Sequence, residues 1–433
     1  MSFLKVLGFD PAKHNVKTEI VAGITTFLTM AYILAVNPDI FSALEEMGMP
    51  KGAVFTATAL AAIVGTLVMS IYAKKPYALA PGLGLNAFFV YTVCLTMGYS
   101  WQFALTAVLI EGIIFIILTV TNVREAIINA IPKSMKSAVS AGIGLFIAFI
   151  GLVNAGIIVD DGGTIINLGT ITSGPALLAI VGLVITSVMM ILKVPGAMLI
   201  GIIVTAIIGI PFGITKFDGV VSAVPSVAPI FCKFEFHNIL TWDMIIVVFT
   251  FLFIDMFDTI GTVIGVSKKA NAMNPDGTIP GVKKVLMADA IATVWGAICG
   301  TSTTTTYVES ASGVAEGGRT GLTSFTVAIC FAIALFFAPV FLAIPSAATA
   351  PALILVGVMM MSSILDVDFN DFSECIPAYI CMIVMPLAYS ISDGIMLGMI
   401  SFVVLNALTG KFKKISVMMW ILAVLFILRY ILL

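Results

Sequence analysis

Charge is what this 433-residue chain has least of: 10% of its residues are Asp, Glu, Lys or Arg, where soluble domains carry about a quarter. With 60% hydrophobic residues it lacks the polar residues to cover a water-facing surface, which excludes a soluble enzyme. The formal net charge of −2 and the absence of dense Lys/Arg clusters exclude a phosphate-gripping face, so no nucleic-acid partner is expected. Histidine is nearly missing; His14 and His237 fall in the terminal and linker stretches, where neither reads as a ligand or base. The six cysteines (Cys94, Cys232, Cys299, Cys330, Cys375 and Cys381) are dispersed, form no CxxC pair and have no histidine at metal-ligand spacing. That excludes a zinc or redox motif; they read as small core residues, and no cofactor or metal is expected. The opening MSFLKVLGFDPAKHNVKTE has no apolar stretch followed by a small-residue cleavage site, so the first span is expected to serve as its own insertion signal.

What is present is a succession of apolar runs from Val21 to Leu432, many long enough to cross a hydrocarbon core of about 30 Å. The chain reads as an all-α polytopic membrane protein. Polar and Gly/Pro breaks place spans near 18–37, 52–72, 80–95, 101–120, 132–154, 174–192 and 195–213. A second seven falls near 242–266, 285–299, 303–315, 321–343, 346–365, 375–391 and 394–410. The domain division is therefore 1–211 as a first seven-span repeat, 212–241 as a linker, 242–410 as a second repeat and 411–433 as a C-terminal apolar segment of undecided placement. Two echoes tie the sevens together. Ile131-Pro132 opens the fifth span as Ile344-Pro345 opens the twelfth. Pro175-Ala-Leu before Gly196-Ala-Met-Leu matches Pro377-Ala-Tyr before Gly394-Ile-Met-Leu. An odd span number inverts the second repeat relative to the first, a symmetry common in secondary transporters. Basic residues should collect on the cytoplasmic side. With the N-terminus inside, only Lys51, Lys216 and Lys233 fall outside and Arg429 is unassigned, so the rest, Arg124 and Lys268 among them, lie inside.

Two spans are irregular, and both are third in their repeat. One opens with Pro81, Gly82 and Gly84, residues that break a helix or admit close backbone approach. The other, Gly300-Thr-Ser-Thr-Thr-Thr-Thr-Tyr-Val-Glu309, opens with hydroxylated residues that suit a strand and can satisfy unwound backbone. Irregular backbone at membrane depth is tolerated only inside protein or beside a cavity, so the pair predicts a midplane binding site flanked by half-helices.

Intramembrane acids are costly and need a reason. Asp255 and Asp258 stand three apart, hence on one helix face, and Glu309 follows Tyr307 in the broken tenth span. No basic residue lies at matching depth to pair with them. Such carboxylates suit proton uptake and release. Glu309 and Asp258 are the leading candidates; Asp255 is divided between coupling and bracing a neighbouring helix. Glu111 and Asp289, nearer span ends, are expected to be interfacial, and Glu316 with Arg319 is expected to lock a cytoplasmic turn as an ion pair.

Three motifs carry a family resemblance: Gly-Leu-Gly-Leu-Asn-Ala-Phe-Phe (82–89), Phe-Asp-Thr-Ile-Gly-Thr (257–262) and the stretch 301–322, with 22–33 similar too. The chain resembles the AzgA-like purine permeases of the xanthine/uracil permease superfamily. The resemblance implies a nucleobase:proton symporter with fourteen spans in two inverted sevens, a core domain (spans 1–4 and 8–11) moving elevator-like against a gate domain (5–7 and 12–14). It implies a purine base (hypoxanthine, guanine or adenine) and a proton as partners, membrane lipid around the chain, compatibility with a homodimer, and a multi-pass place in the cytoplasmic membrane. By motif position Asp258 and Glu309 are its essential carboxylates and Asn86 its polar third-span residue, with Tyr307, Phe88 and Asp255 following. Uracil and xanthine relatives have a glutamate at the position of Asp258 and often a histidine where this chain has Thr262, which makes a histidine relay inapplicable here. The chemistry agrees: a carboxylate accepts edge N–H groups, Asn86 donates or accepts, and Tyr307 or Phe88 stacks on a planar base. An anion exchanger or channel of the same architecture is the alternative, against which the unpartnered acids argue. An intramembrane enzyme lacks its constellation, since Asp255 and Asp258 are poorly placed for a shared catalytic water.

Overall fold

The computed structural model describes residues 3–121, 132–172, 174–217, 219–237, 239–270, 272 and 279–432. Arg124 with its cytoplasmic assignment, Ile131 of the first echo and Asn238 of the linker lie outside the described residues. The chain is mostly helical. Helices α1 (Val16–Met30) and α2 (Ile33–Phe41) form the first span, interrupted at Ala31 and Tyr32. Helix α3 (Lys51–Val68) leads to strand β1 (Leu79–Pro81) and the short α4 (Leu83–Ala87), which continues as π-helical turns to Thr96. Helices α5 (Trp101–Thr121) and α6 (Lys133–Asn154) precede an exposed hairpin of β2 (Ile158–Asp161) and β3 (Ile165–Leu168). Then come α7 (Gly174–Ile191), α8 (Ala197–Gly209), α9 (Trp242–Lys269) and α10 (Val282–Cys299). Strand β4 (Thr304–Thr306) and α11 (Ser310–Ala315) follow, with α12 (Gly321–Ala334), α13 (Ser346–Met361), α14 (Phe372–Leu387), α15 (Ile391–Leu408) and α16 (Val417–Leu432) completing the chain. Among the described residues nine helices are long and apolar enough to cross a membrane.

The helices pack in two neighbourhoods. In one, α10 lies against α3 and α5, and α12 against α1 and α3; in the other, α6 lies against α13 and α14, α7 against α8 and α13, and α14 against α15. Small residues set the closest approach: a Cβ on Gly357 of α13 would stand 2.4 Å from the carbonyl oxygen of Gly144 in α6. Bare backbone there lets two apolar helices touch where lipid gives no hydrophobic drive to association. The stretch between Gly209 and Trp242 holds no helix or strand among the described residues. It is tied to the bundle by Thr56 donating to the Pro225 carbonyl at 2.7 Å and by the Cys232 N–H donating to that of Ile298 at 2.8 Å. The C-terminal segment packs on the bundle: α16 runs against α15, buries Met419 and Phe426, and sets Phe426 5.6 Å from Phe249 of α9.

Two expectations are corrected. Glu316 makes no ion pair with Arg319 among the described residues. The turn is held instead by buried Glu19 of α1, whose carboxylate accepts from the backbone N–H groups of Arg319 (3.1 Å) and Thr320 (3.2 Å) and from the Thr323 hydroxyl. Arg319 turns its guanidinium onto the carbonyls of Val314 and Gly318, at 2.6 and 2.7 Å, where the last turn of α11 leaves acceptors open. Glu111 and Asp289 are fully buried rather than interfacial. Both serve the threonine-rich strand β4, a role invisible until the fold brings that strand to them.

Candidate functional site

The two irregular spans meet as an antiparallel pair, Leu79 opposite Thr306, Ala80 opposite Thr305 and Pro81 opposite Thr304. A two-stranded ribbon in a membrane interior has two edges, and every outward backbone group there needs a partner. Side chains supply them. The Thr66 hydroxyl of α3 accepts from Leu79 N–H at 3.0 Å and donates to Leu79 C=O at 3.1 Å. Asp289 of α10 accepts from Thr306 N–H (2.9 Å) and its hydroxyl (3.0 Å), while Thr293 donates to Thr304 C=O at 3.1 Å. Pro81 has no N–H to satisfy, and its carbonyl accepts from the Tyr307 hydroxyl at 2.6 Å. Glu111 of α5 accepts from the Thr303 hydroxyl at 2.6 Å. The run Thr301–Thr306 is therefore strand β4 with its approach, carrying its own hydrogen-bonding handles, all buried.

Because the strands are antiparallel, α4 and α11 leave the ribbon from opposite ends. A cavity of about 400 Å³ lies beside them, lined by Gly82–Leu85 from one and Thr306–Glu309 from the other. Asp258, Gly261 and Thr262 of α9 and Tyr32 from the break in the first span contribute polar wall; Val139, Ile143, Val356, Met359 and Met360 of α6 and α13 form an apolar wall. No Lys, Arg or His is among the described lining residues. The volume is typical of small-molecule sites. Glu309 stands at the residue just before α11, and its Oε1 accepts from the Tyr32 hydroxyl at 2.6 Å. Asp258 has no hydrogen-bond partner among the described residues.

Of the six residues singled out from sequence, the fold brings Asp258, Glu309 and Tyr307 together on this cavity. The other three stand behind its wall. Asn86 is buried, its amide oxygen accepting from the Ser302 hydroxyl and its Nδ2 3.5 Å from the Pro81 carbonyl. Phe88 packs edge-on against Phe251 with ring centroids 4.8 Å apart. Asp255 is buried and lies 3.0 Å from the Thr259 hydroxyl, whose oxygen also stands 2.9 Å from Asp289 and 2.7 Å from the Thr305 hydroxyl, its one proton shared among these acceptors. Asp255 is thus wired to the ribbon. Sequence reasoning missed Tyr32 and the serines Ser140, Ser362 and Ser363 of the opposite wall. For Tyr32 the only local signal was a hydroxylated aromatic inside an apolar run shortly before Pro38-Asp39; for the serines there was none.

The Permease family (Xan_ur_permease) matches residues 17–397. The chain belongs to that family. Guanine/hypoxanthine permease PbuG of Bacillus subtilis is 45% identical to this permease over 98% of both chains. Adenine permease AdeQ of Escherichia coli is 41% identical over 96% of this chain and 94% of its own. Among solved structures, the murine Solute Carrier 26 family member A9 anion transporter in the inward-facing state superposes with a TM-score of 0.68 at 13% identity, covering 95% of this chain and 70% of the other. That likeness shows the fold, that of a multi-pass membrane transporter. The permease is a transporter and not an enzyme, like the named relatives of its family.

Proposed function

We infer that this permease imports a purine nucleobase (hypoxanthine, guanine or adenine) together with a proton across the cytoplasmic membrane. The observation that carries the reading is the cavity in which Asp258, Glu309 and Tyr307 converge between two half-helices, in a chain 41–45% identical to permeases named for guanine, hypoxanthine and adenine. A neutral planar base has a polar edge of N–H donors and two apolar faces. Carboxylates on one wall suit the edge, and the Ile, Val and Met wall suits the faces. Glu309 accepts the edge N–H, Asp258 takes the coupled proton, and Tyr307 closes the site beside Pro81. Asn86, Phe88 and Asp255 act from behind, holding the broken third span, its helix and the ribbon in place. A proton entering with a neutral base carries one charge, so about 2.3 kcal/mol per 100 mV is available for accumulation. Alternating access follows an elevator-like movement of spans 1–4 and 8–11 against spans 5–7 and 12–14, with the N-terminus on the cytoplasmic side. An anion substrate is a poorer match, because two acids and no basic side chain line the described cavity.

Uptake of radiolabelled hypoxanthine, guanine and adenine by energised vesicles, with and without a protonophore, tests the reading. Protonophore-sensitive uptake in the wild type, abolished in Glu309→Gln and Asp258→Asn and weakened in Asn86→Ala, is expected. A folded wild type that takes up none of the three bases overturns the substrate; uptake indifferent to the protonophore overturns the coupling.

A further inference from the structure

The strongest feature left unused is the bond from Tyr32 to Glu309. Tyr32 occupies the break between α1 and α2, is 2% exposed, lines the cavity, and donates its hydroxyl to Glu309 Oε1 at 2.6 Å. That length is typical of a hydroxyl bonded to a charged acceptor. Among the described residues it is the only side-chain donor to this carboxylate. The break is itself clamped to α11: the Thr29 hydroxyl lies 2.9 Å from that of Ser312 and 3.5 Å from the Glu309 carbonyl. Tyr32 therefore meets Glu309 from a fixed direction.

We propose that Tyr32 is the specificity-determining residue of this site, because its bond to Oε1 leaves Oε2 as the one carboxylate oxygen of Glu309 with no side-chain donor among the described residues. This rests on the reading of the cavity as a purine site. A free carboxylate accepts two parallel N–H bonds and favours a ligand that offers two donors side by side. Guanine does so, with its ring N1–H next to its 2-amino group; hypoxanthine offers the ring N–H alone. With Oε1 already accepting from the phenol, a second N–H there has to share that oxygen, so the extra amino group of guanine gains little. The wild type thus treats the two bases nearly alike, and the hydroxyl, not the carboxylate, is what keeps them equal.

The test is competition by unlabelled guanine and hypoxanthine against labelled hypoxanthine uptake, for wild type, Tyr32→Phe and Tyr32→Leu, with each protein checked for folding by size exclusion and melting. In the wild type the two inhibition constants are expected within about threefold of each other. In the variants the guanine preference is expected to rise about tenfold, one added bond to a charged group. A purely structural tyrosine weakens both bases equally and leaves their ratio unchanged, which overturns the proposal. A wild-type guanine preference above about tenfold overturns it with no variant needed. A wild type that takes up neither guanine nor hypoxanthine overturns this inference, and the functional reading falls with it only if adenine uptake is absent too.

Discussion

Thr66→Val tests the idea that side chains close the edges of the buried ribbon. Thr66 and Leu79 are both fully buried, and one hydroxyl serves both the N–H and the C=O of Leu79, at 3.0 and 3.1 Å. Valine keeps the shape of threonine and removes only the hydroxyl, so two buried backbone groups lose their partner at about 1–3 kcal/mol each. The expected loss is about 2–6 kcal/mol. Thr66→Ser keeps the hydroxyl and removes a methyl, at about 1 kcal/mol. The structure therefore predicts that the smaller, more polar residue is the better replacement inside a membrane protein, by about 3 kcal/mol, or roughly 3 °C of melting temperature for a chain of this size. Melting of the detergent-purified proteins, followed by loss of monodispersity, measures the order directly. If Thr66→Val melts at or above Thr66→Ser, hydroxyl bonding does not hold the edge of β1, and the account of how a strand survives at this depth is wrong.

Asp289→Ala removes the acceptor of Thr306 N–H, the Thr306 hydroxyl and Thr259 at once, and is expected to lower stability by about 3–5 kcal/mol, with Asp289→Asn in between because it keeps one oxygen; melting curves rank the three. Gly357→Val drives a side chain into the Gly144 carbonyl, which a Cβ alone would approach to 2.4 Å; separation of α6 from α13 is expected to cost about 1–3 kcal/mol or more, and a variant as stable as the wild type would show that the helices do not meet there. At the chain's polar margin, bonds from Lys414, Ser373 and Lys411 hold the half-buried Asp371 carboxyl well below the usual carboxylate range. A depressed folded-state value stabilises above the ordinary value of about 4 and the effect fades as pH falls toward the lower, folded one. The melting difference between wild type and Asp371→Asn is therefore expected at pH 7 and to shrink progressively below about pH 4; a difference that grows on acidification contradicts the assignment.

Composition alone determined the solvent of this protein. A chain with 10% charged and 60% hydrophobic residues has lipid as its natural surroundings, and the apolar runs follow from the length needed to cross it. Local chemistry determined where the helices fail: Pro81 and Gly82 weaken any helix through them, and a run of threonines prefers a strand. The costly acids Asp258 and Glu309 marked themselves in sequence, because charge in hydrocarbon is tolerated only for a reason. Pairing was not legible there. That Leu79 lies opposite Thr306, more than two hundred residues away, depends on α3, α5 and α10 converging to supply Thr66, Glu111, Asp289 and Thr293. Only that convergence turned Glu111 and Asp289 from residues near span ends into buried acceptors. Likewise, Glu19 reaches the turn across the fold through the backbone N–H groups of Arg319 and Thr320, and the Arg319 guanidinium takes backbone carbonyls rather than its neighbour Glu316. Tyr32 carries no charge and stands out locally only as a hydroxylated aromatic in the apolar run 22–33; only the meeting of the α1–α2 break with the start of α11 places its hydroxyl on Glu309. Sequence reveals what is expensive at a position, whereas tertiary structure decides what shares the cost, because hydrogen-bond partners are set by proximity in space and not along the chain.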